Sequence, residues 1–171
     1  MARKKLNLRE FQERLSAHLA SAAEGERVAA LLGVQAGNTR WLVDLSDSGE
    51  VVPLPSLSTV PLTQPWFVGI VNIRGNLYAV TDFSAFQGKE STVLTPASRL
   101  LLVGIRHASN ASLLVSRILG LKKVDAFTQL PDDEQAPVWG RQNFVDSEGL
   151  QWKKLDVAQL FADPAFMEIS A

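Results

Sequence analysis

The side chains that most often perform chemistry are scarce or badly spaced in this chain. Its two histidines, His18 and His107, lie far apart on different predicted elements. Cysteine is absent, which removes a thiolate nucleophile, a Cys-ligated metal and a disulfide framework. No H-E-x-x-H pair and no G-x-S-x-G elbow occurs. Gly88-Lys89 is not a phosphate loop, because Phe83 stands where a glycine is needed and Glu90 where Ser or Thr is needed. Asn110-Ala111-Ser112 is a glycosylation sequon by pattern only. Among the carboxylates, Asp44, Asp82 and Asp146 fall in or beside predicted strands. A general acid–base pair among them is open, but such residues more often satisfy backbone groups at turns and strand ends. Asp132-Asp133-Glu134 reads as a solvated loop. The expectation is a protein that is not an enzyme and carries no metal or cofactor.

Charge narrows the partners. The 171 residues carry 17 basic and 18 acidic side chains, a formal charge of −1. Strong non-specific nucleic-acid binding needs a positive surface, and the one obvious basic cluster is Arg3, Lys4 and Lys5. Hydrophobic residues make up 46% and charged residues 20%, a globular composition long enough for a real core. No apolar run approaches the roughly 18 residues of a membrane span. Met1–Glu10 lacks the apolar stretch of a secretory signal. A cytoplasmic protein is expected.

The elements that must position any site fall into two regimes. Leu8, Phe11, Leu15, Leu19 and Ala22 recur at helical spacing, with Asn7 as N-cap and Gly25 as stop, so residues 1–25 read as an amphipathic helical extension. Residues 26–171 read as one domain of short strands broken by turn residues. The strands expected are Val28–Val34, Trp41–Leu45, Glu50–Leu54, Phe67–Arg74, Leu77–Phe83, Arg99–Ile105, Ser112–Ile118, Leu121–Phe127, Trp139–Val145 and Leu150–Leu155. Pro53, Pro55, Pro61 and Pro65 make 53–66 an extended connector. Residues 87–98 read as a loop, and Asp156 caps a short C-terminal helix through Phe161. No internal repeat is visible. Trp41, Trp66, Trp139 and Trp152 are expected mainly as core fillers.

Alternation in Phe67–Arg74 sets Phe67, Gly69, Val71 and Ile73 on one face. Gly69 leaves room there for another backbone. Asn72 and Arg74 put an amide and a guanidinium at the end of an apolar strand, and Gly75-Asn76 is read as a turn. Arg74 has two readings: a strand-end arginine paired with a carboxylate, or an arginine fixed on a rigid turn to anchor a partner protein.

The stretch 41–83 resembles the CheW family of chemotaxis coupling proteins. The resemblance rests on Trp41-Leu42-Val43, Glu50-Val51, Thr59-Val60-Pro61, Pro65, Gly69-Ile70-Val71-Asn72-Ile73-Arg74-Gly75 and Asp82-Phe83, in that order and spacing. It covers about 28–161 and is strongest in 41–83. It implies an all-β fold of two intertwined five-stranded β-barrels with a shared apolar interface. It also implies an adaptor between the cytoplasmic signalling tip of a chemoreceptor and the regulatory domain of a CheA-like histidine kinase. By motif position, Asn72, Arg74 and Gly75 fall on the family's arginine turn, and Leu45, Glu50 and Val51 on the segment used toward the receptor. Ser116 stands where the family usually has an acid, and Leu77-Tyr78-Ala79-Val80 lacks the proline common there. The helical extension and divergent second half resemble the PilI-type adaptors of pilus-associated chemosensory systems, which act in twitching motility. Recruitment to receptor arrays at the inner face of the cytoplasmic membrane would follow, without membrane insertion.

The rival reading is an OB-like single-stranded nucleic-acid module, supported by Arg99, Arg106, Arg117, Lys122 and Lys123. For the N-terminal helix, packing on the barrel stands beside docking to a partner or second copy.

Overall fold

The computed structural model describes Gln12, Glu13, Ser16 and residues 30–171. Those first three residues are helical; the rest of the helix expected over 8–22, His18 and the stop at Gly25 lie outside the described residues. The strands are β1 Ala30–Ala36, β2 Thr39–Asp44, β3 Ser48–Pro53, β4 Phe67–Ile73, β5 Asn76–Asp82, β6 Arg99–Val103, β7 Ala111–Val115, β8 Arg117–Lys123, β9 Phe127–Leu130, β10 Asn143–Asp146 and β11 Gln151–Leu155. Helical turns are α1 Phe83–Phe86, α2 Val157–Ala162 and α3 Pro164–Met167.

Two sheets form among the described residues, as expected of the family fold. One has the order β3-β6-β7-β5-β4; the other has six strands rather than five, in the order β8-β1-β2-β11-β10-β9. The five-stranded sheet is built wholly from 48–115, and the six-stranded sheet from the segments on either side. Both contain a parallel pair, β5 with β7 and β2 with β11, that returns the chain to an earlier strand.

The long apolar runs follow from burial on both sheet faces. Leu101 and Val103 of β6 meet Leu113 and Val115 of β7, Trp41 and Val43 of β2, and Leu155, Leu160 and Phe166 in a core shared by the two sheets. Their alternate neighbours Leu100, Leu102 and Leu114 face a second cluster with Val52, Val71 and Val80. Leu42, Leu31 and Trp152 form the third, inside the six-stranded sheet. Val52 and Val71 come from opposite edge strands, so the five-stranded sheet curls round its own core.

Several boundaries differ from the sequence expectation. The chain breaks at Ser116, not at Gly120: β7 ends in one sheet and β8 begins in the other. The Ser116 N–H donates to the Gln35 carbonyl at 2.8 Å at this crossing. Ile118 and Leu119 take up the apolar run again directly after Ser116-Arg117 and pack on the cores, so hydropathy shows only a two-residue dip at the change of sheet. Val138–Gly140 is a 3-10 turn where a strand was expected, with Trp139 buried in the shared core. Pro164 lies past the end of α2 and itself opens a further helical turn, α3, capped by Asp163.

The structure also holds a repeat that the sequence does not display. In β4–β5–α1 and β10–β11–α2, a hairpin turn glycine (Gly75, Gly149) is followed seven residues later by an N-cap aspartate (Asp82, Asp156). The next residue, Phe83 or Val157, is fully buried. Little else matches in type, so the repeat is one of geometry.

Candidate partner-binding site

β4 and β5 are joined by a two-residue hairpin, because Ile73 pairs with Asn76. The turn residues are therefore Arg74-Gly75, not Gly75-Asn76. Both have positive φ, +54° at Arg74 and +85° at Gly75, as a twist-matched hairpin turn demands. Glycine accepts this freely; arginine does so at a cost. The Asn72 side chain steadies the turn: its Oδ1 accepts from Gly75 N–H at 2.8 Å.

Arg74 leaves the strand entirely, and its side chain is 74% exposed. Its guanidinium grips Glu50 of β3 in a two-pronged pair, with Nη1 donating to Oε2 at 2.8 Å and Nη2 to Oε1. β3 and β4 are opposite edges of the five-stranded sheet, so this pair spans the gap across the curl. Two residues singled out separately in the sequence are thereby brought together. The carboxylate-paired reading of Arg74 is realised in its geometry, while the guanidinium stays open to solvent and to a partner.

β3 links this pair to a second exposed group. Gly49, next to Glu50, packs under Ile105, and an added Cβ would sit 2.6 Å from Ile105 Cδ1. Arg106 reaches Asp47 at 3.5 Å, tying the 3-10 turn Ile105–His107 to the β2–β3 connection. Leu45, in that connection, is exposed, as is Ile105. Val51 does not join this surface; it is half-buried against the shared core. Two exposed apolar residues went unremarked in the sequence. Leu77 pairs with Asn72 beside the arginine turn, and strand alternation opposite the inward Tyr78 could have marked it. Ile105 had no such signal, because it was expected inside a strand.

The expected close approach at Gly69 is present. Its φ is +143°, and an added Cβ would stand 2.4 Å from the Ser58 carbonyl oxygen. Ser58 exchanges two hydrogen bonds with Ile70, both 2.9 Å. The proline connector is thus pinned along β4, the strand that leads into the arginine turn.

The carboxylates that could have done chemistry are occupied structurally. Buried Asp82 caps α1 through Ser84 and Ala85 and receives Thr92 N–H at 2.7 Å and Thr92 Oγ1 at 2.8 Å. Asp44 pairs with Lys154 at 3.0 Å. The Trp152 indole N–H, bonded to Asp146 at 2.9 Å, holds the Asp146 carboxyl below the usual range, helped by Leu150 and Glu148 N–H groups. For Asp133 burial pushes upward, but the Gln135 N–H and Lys153 outweigh it and the net direction is down. His107 lies against Phe161, ring centroids 5.4 Å apart. No group of three or more His, Asp or Glu suited to a metal exists among the described residues.

The basic residues of the nucleic-acid reading do not gather. Arg99 opens β6, bonding the Pro96 and Ser98 carbonyls, and Arg106 lies in the 3-10 turn beyond the strand's other end. Arg117, Lys122 and Lys123 line β8 of the other sheet, with Arg117 on Gln35 and Lys122 over the Trp152 ring. Of the tryptophans, Trp41, Trp139 and Trp152 are buried; Trp66 is half-buried and stacks on Phe166. No helix among the described residues is long and apolar enough to cross a membrane.

With this geometry in place, similarity to known proteins adds the wider context. The CheW-like domain family matches residues 30–165. Protein PilI of Pseudomonas aeruginosa is 31% identical over 127 residues, covering 72% of this chain and 70% of PilI. The crystal structure of the scaffolding protein TtCheW from Thermoanaerobacter tengcongensis superposes with a TM-score of 0.66 at 18% identity, over 80% of this chain and 94% of that one.

Proposed function

Because this chain belongs to the CheW-like family, a family of scaffolding adaptors rather than enzymes, we propose that it joins a chemoreceptor's cytoplasmic signalling tip to a CheA-like histidine kinase regulatory domain. Its likeness to PilI supports a place in a pilus-associated chemosensory system that governs twitching motility. It works at receptor arrays on the inner face of the cytoplasmic membrane, as 26–171 preceded by a helical extension of residues 1–25. Coupling of this kind needs two faces held in fixed relation, not a reaction centre.

The observation that carries the reading at residue level is the Glu50–Arg74 pair. An exposed arginine on a two-residue turn loses little freedom on binding, because Glu50 and the Asn72 bond already orient it. Leu77 flanks it, and Leu45, just before β3, and Ile105, against Gly49 of β3, are two further exposed apolar side chains. In this reading Arg74 and Leu77 meet one partner, Leu45 and Ile105 the other. Asn72, Gly75 and Val51 shape the backbone between them.

The test is a titration of the full chain against two purified fragments from the same organism, a receptor signalling tip and a kinase regulatory domain. Arg74→Glu faces Glu50 with a like charge and should abolish binding to one fragment while the thermal melt stays close to wild type. If wild type binds neither fragment, the adaptor reading fails and oligonucleotide binding becomes the next assay.

A further inference from the structure

At the seam between the two sheets lies a cavity of about 240 Å³ that the coupling surface does not use. Trp41, Phe86 and Trp139 line it, with Trp41–Trp139 and Phe86–Trp139 ring centroids 5.8 and 5.6 Å apart. Lys89 and Lys153 line it too. Lys89 belongs to the loop after α1, on the five-stranded side, and Lys153 to β11 of the other sheet. The walls are apolar and flat, and the charges are of one sign.

That sign is incompletely balanced. Lys153 shares the Asp133 carboxylate at 3.4 Å and approaches the Gly140 carbonyl at 3.5 Å. Asp133 is 43% exposed. Lys89 donates to the Thr39 hydroxyl and pairs with no carboxylate among the described residues. Burial, and then the positive charge of Lys153, hold the Lys89 ammonium below its ordinary range. An anion placed between the two ammoniums turns their repulsion into two charge-assisted hydrogen bonds. The Trp41 indole N–H, buried in the same wall residue, has no acceptor among the described residues.

We propose that this cavity binds a small aromatic carboxylate, its ring among Trp41, Phe86 and Trp139 and its carboxylate on Lys89 and Lys153. The volume is below the roughly 300–1,000 Å³ of pockets for larger ligands, so it suits a single ring and not a nucleotide. A simple inorganic anion would leave the three aromatic walls unused. The ligand would bridge the two sheets. The inference stands apart from the adaptor reading, since it rests on neither Arg74 nor a protein partner.

The test is an NMR titration of the full chain, following the indole N–H signals, with phenylacetate, acetate and phenethylamine as probes. Phenylacetate should move the Trp41 and Trp139 signals saturably, while acetate and phenethylamine leave them in place. Lys89→Gln and Lys153→Gln should each weaken binding about tenfold, and Lys89→Arg should weaken it less. Bound phenylacetate should also raise the Lys89 titration point in the wild-type protein, a readout needing no variant. No saturable shift by about 10 mM, equal binding of phenethylamine or acetate, or unchanged affinity in both glutamine variants would overturn the assignment.

Discussion

Arg74→Gly separates fold from function at the arginine turn, and the geometry sets its size. The substitution removes the two-pronged pair with Glu50. With Arg74 74% and Glu50 40% exposed, solvent screens that pair, and such pairs contribute about 0.2–1 kcal/mol. The same substitution relieves a non-glycine residue at φ +54°, a gain of about 1 kcal/mol. The two terms oppose, so stability should stay within about 1 kcal/mol of wild type, and the melting temperature within about 4 °C. If the guanidinium anchors a partner, its loss should cost about 2 kcal/mol or more of binding, roughly a thirtyfold rise in Kd. Denaturant unfolding and calorimetric titration against the receptor-tip and kinase fragments read the two quantities separately. A stability loss above about 2 kcal/mol would refute the account of the turn. Unchanged binding to both fragments would refute the anchoring role.

Gly69→Ala should cost about 2–4 kcal/mol, because its Cβ meets the Ser58 carbonyl at 2.4 Å in a backbone region disfavoured for alanine; a melt within 2 °C of wild type, against the roughly 5–10 °C fall expected, would contradict this. Asp82→Ala should cost about 2–4 kcal/mol by removing the α1 cap and both Thr92 bonds, and limited proteolysis should then cut within 87–95. Asp146 has its carboxyl held low by Trp152, so it contributes stability above the ordinary carboxylate range that is lost as pH falls through its folded-state value. Melts across pH 3–6 should therefore fall more steeply for wild type than for Asp146→Asn, and parallel curves would count against it.

Much of the site was legible because its parts are local. A turn at Gly75, the alternation of Phe67–Ile73 and the need for space at Gly69 are each written within a few residues, although the turn proper is Arg74-Gly75 and not Gly75-Asn76. What order could not convey is contact across the curl of the sheet, which turned Glu50 and Arg74 into one ion pair and left Val51 facing inward. Ile105 was hidden for a related reason. Its apolar run continues β6, and only the left-handed Gly104 (φ +81°) ends the strand there and releases it to the surface.

The sequence by itself determined that strands would dominate, that the prolines of 53–66 would keep the connector beyond Pro53 out of the two sheets' named strands, and that Asp156 would start a helix, since propensity, proline geometry and capping act over a handful of residues. Only the tertiary structure decided which sheet each strand joined. Ile118 and Leu119 resume the apolar character of β7 within two residues of Ser116 and pack on the cores beyond it, so hydropathy alone does not mark the crossing. The parallel returns of β7 to β5 and β11 to β2 join segments distant in sequence. Such pairings are selected by the summed burial of whole sheets against one another, and no single residue type encodes them. The same long-range packing brought Lys89 and Lys153 to one cavity from opposite sides of the seam.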